Sequence, residues 1–99
     1  MSWHKIDVDL AEGGHTGLKV SGEKILVSKV DGKLYATSNL CPHVGAVLSP
    51  GDLANGQIAC PFHNWTFDVR TGDCTFPSGG PQLQTIPLRE SGGVIEVDV

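Results

Sequence analysis

Two short stretches, Cys41-Pro42-His43 and Cys60-Pro61-Phe62-His63, decide how this chain is interpreted. Each supplies one thiol and one imidazole, and each lies in a Pro- and Gly-containing segment between runs of β-forming residues. Two sulfur and two nitrogen ligands from paired loops form a four-ligand set for a metal centre. The sequence therefore predicts a metal site with four ligands, Cys41, His43, Cys60 and His63, and a scaffold that holds them.

The distribution of Cys and His between the two loops helps to distinguish two kinds of metal centre. A mononuclear zinc site with two Cys and two His is one possibility. In a [2Fe–2S] cluster with mixed ligation, two Cys bind one iron and two His bind the other. Each loop here carries one ligand of each type, whereas zinc sites more often take both cysteines from one hairpin. The pattern favours the iron–sulfur cluster and leaves a zinc-stabilised interaction domain as an alternative.

Length and composition restrict the class of protein. A chain of 99 residues predicts one domain over residues 1–99, and 13 Gly with 6 Pro predict many turns. The formal net charge of −4 and the lack of a Lys/Arg-rich run argue against nucleic acid as a partner. We expect a cytoplasmic protein without a membrane span, because neither a long apolar run nor a secretory signal is present. Three cysteines, an odd number, do not suit a disulfide framework.

The spacing of apolar residues predicts an all-β fold. Lys24–Val30 and Lys33–Ser38 are rich in β-forming residues and flank Asp31-Gly32, which is typical of a hairpin with a type I′ turn. Asn55-Gly56 predicts a second hairpin of the same kind. No segment repeats apolar residues with the period of a helix over ten residues.

The other predicted strands are short, and together they suggest roughly eight to ten strands in a sandwich or partly closed barrel. A last hairpin is expected to turn at Ser91-Gly92-Gly93. The remaining segments are Trp3–Val8, Leu18–Val20, Trp65–Val69 paired with Cys74–Phe76, and Gln84–Arg89 paired with Val94–Val99.

The motif Cys41-Pro42-His43-Val44-Gly45-Ala46, followed by Cys60-Pro61-Phe62-His63-Asn64-Trp65 and by Phe67-Asp68 and Thr71-Gly72, resembles the Rieske ferredoxin family. The resemblance covers nearly the whole chain. It implies a Rieske-type β-sandwich in which the two loops form a small cluster-binding subdomain at one tip. It also implies that Cys41 and Cys60 hold the inner iron and that His43 and His63 hold the outer, more exposed iron.

Residues near the motif predict a reduction potential at the low end of the Rieske range. Two imidazoles in place of two thiolates remove negative charge, which raises the potential from about −400 mV to between about −150 and +300 mV. High-potential members of the family carry a loop disulfide and hydroxyl donors beside the cluster. At the corresponding positions this chain has Ala46, Phe62, Trp65 and Phe67, none of which supplies either feature.

Several residues outside the ligand set carry weaker expectations. Asn64 stands where many members have Gly, and Asn tolerates the left-handed conformation that Gly supplies. Cys74 is expected to be a half-buried strand residue. Trp65 and Phe67 are expected to cover the cluster against water, and the loop Pro77–Pro81 to cover it as in the family. His4 and His15 are expected at the surface.

These observations predict an electron carrier, because a one-electron centre in so short a chain leaves no room for a substrate pocket. The chain has neither paired catalytic carboxylates nor a nucleotide fingerprint. It resembles ferredoxins that pass electrons from a flavoprotein reductase to a terminal ring-hydroxylating oxygenase. A second candidate is the small Rieske-like subunit of an assimilatory NAD(P)H nitrite reductase. We expect a monomer when the protein is free.

Overall fold

The computed structural model describes residues 2–62 and 64–99, and within those ranges its regular secondary structure is entirely β. None of this described part forms a helix long and apolar enough to span a membrane. The strands in chain order are β1 (Trp3–Ile6), β2 (His15–Val20), β3 (Glu23–Val30), β4 (Lys33–Ser38), β5 (Leu53–Ala54), β6 (Gln57–Ala59), β7 (Thr66–Asp68), β8 (Cys74–Phe76), β9 (Thr85–Ile86), β10 (Leu88–Ser91) and β11 (Val94–Asp98).

The strands form three antiparallel sheets with the orders β1-β11-β10, β2-β3-β4-β9 and β5-β6-β7-β8. The first two sheets enclose one hydrophobic core, which includes Ile6 and Val97. The third sheet and its loops enclose a second core, which includes Ile58 and Phe67. The predicted β-sandwich with a small cluster-binding subdomain is therefore confirmed as a fold.

Strand β3 contributes to both cores because successive side chains of a strand point to opposite faces. Ile25 and Val27 belong to the core between the first two sheets, whereas Leu26 and Val30 belong to the core of the ligand-bearing region. All four are buried. This double burial explains why the strand is apolar without strict alternation, and it joins the subdomain directly to the sandwich.

Both predicted type I′ hairpins are present. The central residues of each turn have positive φ, 53° and 76° at Asp31-Gly32 and 53° and 77° at Asn55-Gly56. Both positions of a type I′ turn require this conformation, which Asp, Asn and Gly adopt at lower cost than other residues.

The predicted final hairpin is wrong in its first strand. Gln84–Arg89 is not one strand, because Pro87 has no N–H to donate and the chain changes sheets there. Ile86 in β9 pairs with Ala36, whereas β10 begins after the proline and pairs with β11. This split raises the number of strands in the described residues above the predicted eight to ten. Ser91 is paired with Val94, so the turn itself is Gly92-Gly93.

Candidate metal centre

The first ligand loop, residues 41–46, is closed by two backbone hydrogen bonds. The Cys41 N–H donates to the Ala46 carbonyl at 2.7 Å, and the Gly45 N–H donates to the Cys41 carbonyl at 2.7 Å. Gly45 has a φ of 72°, in the left-handed region. The loop therefore returns to its starting point within six residues and leaves His43 exposed at its tip.

The second ligand loop, residues 60–65, has the same closure. The Cys60 N–H donates to the Trp65 carbonyl at 2.7 Å, and the Asn64 N–H donates to the Cys60 carbonyl at 3.0 Å. Asn64 has a φ of 56° and so takes the place that Gly45 has in the first loop. The expectation that Asn supports this conformation is confirmed.

The segments on either side of the loops are also paired alike. In each case the residue just before the cysteine pairs with the residue six positions after the cysteine. These pairs are Leu40 with Val47 and Ala59 with Thr66. The residue that follows each of these pairings, Leu48 after Val47 and Phe67 after Thr66, is fully buried in the core beneath. The sequence shows no repeat beyond Cys-Pro, so this correspondence between the loops is a finding of the tertiary structure.

The two loop cysteines lie together at the base of the site. Cys41 and Cys60 are 1% and 0% exposed, and their side chains are close enough to interact. Burial raises the pKa of the Cys41 thiol, and the neighbouring Cys60 adds to the rise. The backbone N–H groups of His43 and Val44 point at the Cys41 sulfur and act in the opposite direction.

This sulfur pair fits an iron–sulfur cluster. Two buried thiolates without a cation would repel each other, whereas bound iron offsets their charge. The N–H donors at Cys41 are of the kind that stabilises a ligating sulfur and tunes its potential.

Only one of the two candidate imidazole ligands lies within the described residues. His43 stacks on the indole of Trp65, with ring centroids 3.7 Å apart and planes 3° from parallel. His63 lies outside the described residues. Within residues 2–62 and 64–99, no three His, Cys, Asp or Glu side chains are grouped so that they could share one metal ion. The structure thus brings Cys41 and Cys60 together, and the assignment of all four ligands, Cys41, His43, Cys60 and His63, stays a prediction.

Two residues that sequence reasoning missed hold the chain around the first loop. The Nε2 of His15 lies 3.0 Å from the carbonyl oxygens of both Ser49 and Gly51, so the ring is half-buried and bonded. Asn39 is buried, and its Oδ1 accepts from the Ser49 N–H at 2.9 Å. Both His15 and His4, which were expected at the surface, are half-buried. An Asn just before a ligand loop was a possible signal, because Asn often bonds nearby backbone.

The turn after the second loop is held by a charged pair. Asp68 Oδ1 accepts from the Arg70 backbone N–H at 2.8 Å and from its Nε at 2.9 Å. The hydrogen bond from the Arg70 side chain is the main reason why the pKa of Asp68 lies below its usual value. Asp68, which the motif singled out, therefore shapes the exit of the loop.

Cys74 and the buried cover behave partly as expected. Cys74 is half-buried in β8 and packs against the core of the ligand-bearing region, and its Sγ lies 3.2 Å from the Pro77 carbonyl oxygen. Phe67 is fully buried, as predicted, whereas Trp65 is half-buried and contacts His43 directly. That the loop Pro77–Pro81 covers the cluster stays a prediction.

Comparison with known proteins decides the family. Residues 3–87 match the model of the Rieske [2Fe–2S] domain. The chain belongs to the Rieske family. A relative of this Rieske protein, the ferredoxin component of the naphthalene 1,2-dioxygenase/salicylate 5-hydroxylase systems of Ralstonia sp., is 40% identical over 81 residues, which cover 82% of this chain and 78% of that one. The naphthalene 1,2-dioxygenase ferredoxin of Pseudomonas aeruginosa is 34% identical over 92% of this chain and 88% of its own.

Solved structures agree with this assignment. The ferredoxin of carbazole 1,9a-dioxygenase from Nocardioides aromaticivorans IC177 has a TM-score of 0.89 and 30% identity to this Rieske protein, and the match covers 98% of this chain and 97% of that one. The protein is a ferredoxin-type electron carrier with a Rieske [2Fe–2S] cluster. The zinc-stabilised domain is therefore set aside.

Proposed function

We propose that residues 1–99 act as one Rieske domain that carries single electrons from a flavoprotein reductase to a terminal ring-hydroxylating oxygenase in the cytoplasm. The cluster would be held by four side chains, Cys41, Cys60, His43 and His63. When bound, it supplies reversible one-electron chemistry. The buried pair of loop cysteines beneath an exposed histidine is the observation that carries this proposal.

The chain's own residues divide the work between the two sides of the site. Cys41 and Cys60 present sulfur on the buried side, where the N–H groups of His43 and Val44 face the Cys41 sulfur. The fully buried Phe67 excludes water from below. His43 lies on the exposed side, so the imidazole is the short route by which an electron leaves toward a partner.

The surface beside His43 suits docking of a redox partner. Val44 and Phe62 are 46% and 71% exposed, and with Gly45 and Ala46 they line a shallow cleft of about 240 Å³. An exposed apolar rim of this kind is typical of an interaction surface. A solved complex of reduced oxygenase and oxidized ferredoxin in carbazole 1,9a-dioxygenase contains a chain with a TM-score of 0.88 and 30% identity to this one, which supports an oxygenase as the acceptor.

The ligand assignment is tested on the purified protein and on His43→Cys and His63→Cys variants. We expect iron and visible absorption typical of a [2Fe–2S] protein, and an EPR spectrum of the reduced form with an average g below that of all-Cys clusters. Each variant should have a lower potential, because a thiolate adds negative charge to the cluster. An unchanged potential in either variant would exclude that histidine as a ligand.

The partner assignment needs a separate experiment. The reduced protein is mixed anaerobically with a naphthalene-type oxygenase component or with a nitrite reductase catalytic subunit, and reoxidation is followed by absorbance. We expect rapid reoxidation by the oxygenase and slow reoxidation by the nitrite reductase. The reverse order would favour the nitrite reductase subunit instead. The ferredoxin components among the relatives are the observation that favours the oxygenase.

A further inference from the structure

Trp65 forms a contact between the two ligand loops. It is the last residue of the second loop, and its indole lies parallel to the imidazole of His43, which belongs to the first loop. The centroid separation of 3.7 Å places the rings in van der Waals contact over their faces. The side chain is half-buried and packs on the core beneath in addition to its contact with His43.

The backbone of the loop does not need this indole. Ala46 occupies the same position in the first loop, and its carbonyl accepts the same hydrogen bond from the loop cysteine at the same distance, 2.7 Å. Since a methyl group is sufficient for the closure, the large ring of Trp65 has another role. The contact with His43 is the feature that distinguishes the two positions.

The contact favours one redox state on electrostatic grounds. An imidazole that donates its lone pair to ferric iron becomes electron-poor, and the face of an indole is the most electron-rich aromatic surface in proteins. The attraction between the two rings is therefore strongest in the oxidised protein. In the reduced protein the imidazole is less electron-poor, so the same contact is weaker. A contact that stabilises the oxidised state more than the reduced state lowers the reduction potential.

We propose that Trp65 is a positioning residue for His43, which sets the plane of the imidazole and lowers the reduction potential of the cluster. This inference rests on the proposed function, in which His43 is a ligand. The lack of a hydroxyl donor at position 65 already predicts a low reduction potential. The contact between the indole of Trp65 and His43 lowers the potential further.

The test compares Trp65→Ala and Trp65→Phe with the same substitutions at Trp3, the other of the chain's two tryptophans. Trp3 packs on the Arg89 guanidinium, 4.0 Å from ring centroid to Cζ, and both residues belong to the sheet β1-β11-β10, which carries neither ligand loop. Trp65→Ala gives the second loop the residue that the first loop already carries. The potential is measured by voltammetry, and the orientation of the imidazole by electron–nuclear double resonance on reduced protein labelled with ¹⁵N-histidine.

We expect the potential to rise in Trp65→Ala, to rise less in Trp65→Phe, and to stay unchanged in both Trp3 variants. The ¹⁵N couplings of one histidine should shift or broaden in Trp65→Ala and recover toward the parent values in Trp65→Phe. A potential in Trp65→Ala equal to that of Trp3→Ala would overturn the proposal. If Trp65→Ala does not retain iron, Trp65→Phe against Trp3→Phe decides, and equal potentials there would overturn it.

The same spectra separate this inference from the ligand assignment. Parent protein without two histidine nitrogen couplings would contradict the assignment of His43 and His63, whatever the tryptophan variants do. Two couplings in the parent together with unchanged potentials in the Trp65 variants would contradict only the role of Trp65.

Discussion

In the first ligand loop the residue five positions after the cysteine is Ala46, and in the second loop it is Trp65. The loops otherwise share their closing hydrogen bonds, a left-handed residue before this position, and a fully buried residue two positions after it. The common features hold the backbone of each loop around its cysteine. The difference is that Trp65 of the second loop lies against the imidazole of His43. The two loops are therefore equivalent as backbone scaffolds and differ in the side chain at the position after the left-handed residue.

The largest effect is expected when the cysteine of either ligand loop is replaced. Cys41→Ser and Cys60→Ser should each lose nearly all iron, because a serine oxygen is a poor replacement for a thiolate and the cluster needs both sulfurs. Iron analysis of the purified proteins measures this. Cys74→Ser is the matched control and should retain full iron content, since Cys74 lies outside both loops. Loss of iron in the control, or retention in either loop variant, would contradict the assignment.

The next effect tests whether the buried residues behind the loops are equivalent. Leu48→Ala should destabilise the protein by about 2–5 kcal/mol and Phe67→Ala by about 3–5 kcal/mol. Each substitution leaves a cavity in the same core, because both side chains are buried there. Urea denaturation gives the stability, and the loss of visible absorption under native conditions gives the rate of cluster release. Both variants should release the cluster faster than the parent.

Ile25→Ala is the control for this pair. Ile25 is also fully buried, but it lies in the core between the first two sheets. The substitution should lower the free energy of unfolding by about 2–5 kcal/mol, as in the other two variants. We expect no change in the rate of cluster release under native conditions, where release follows local opening of the loops. Faster release in Ile25→Ala would show that the two cores open together.

A smaller effect concerns the left-handed residue of each loop. Gly45→Ala should destabilise the protein by about 1–2 kcal/mol, the cost of the left-handed conformation for an ordinary side chain. Among the residues that the structure describes, none comes within 4 Å of a Cβ built at this position, so no clash with them contributes. Asn64→Gly should change stability by less than about 0.5 kcal/mol, because both residues accept this conformation. Urea midpoints of the holoproteins measure both effects, and a loss of stability in Asn64→Gly as large as that in Gly45→Ala would contradict the expectation that Asn64 and Gly45 have the same backbone role.

The smallest expected effect lies in the turn after the second loop. Asp68→Asn removes the ion pair with Arg70, whose side chains are 19% and 35% exposed, and should cost about 0.2–1 kcal/mol at pH 7. The pKa of Asp68 is lowered in the folded protein, so its contribution is present above the usual value of 3.8 and is lost as the pH falls through the folded value. The difference between parent and variant in urea midpoint should therefore be the same at pH 7 and pH 5. A difference that disappears by pH 5 would contradict this.

The elements that local chemistry controls were predictable from the sequence. Asp31-Gly32 and Asn55-Gly56 form type I′ turns because the required φ values belong to the residues themselves. The left-handed Asn64 follows from the same preference. The family and its cluster follow from the type and spacing of four side chains, which is a property of the sequence alone.

Other features depended on partners that are distant in the sequence. His15 contacts the carbonyl groups of Ser49 and Gly51, and nothing near His15 signals them. The change of sheet at Pro87 depends on which strand edges are available, although the missing N–H was visible in the sequence. The burial of β3 on both faces could not be predicted, because an apolar run indicates burial but does not show whether one face or both faces are covered.

The sequence by itself determined the all-β class, the Rieske family, the cluster and its candidate ligands, because these depend on residue type and local spacing. Only the tertiary structure decided that the two loops share one backbone closure and that Trp65 of one lies against His43 of the other. The physical reason is that hydrogen bonds between backbone groups and contacts between rings depend on three-dimensional position. Ala46 and Trp65 have no resemblance as residues, yet they occupy equivalent places.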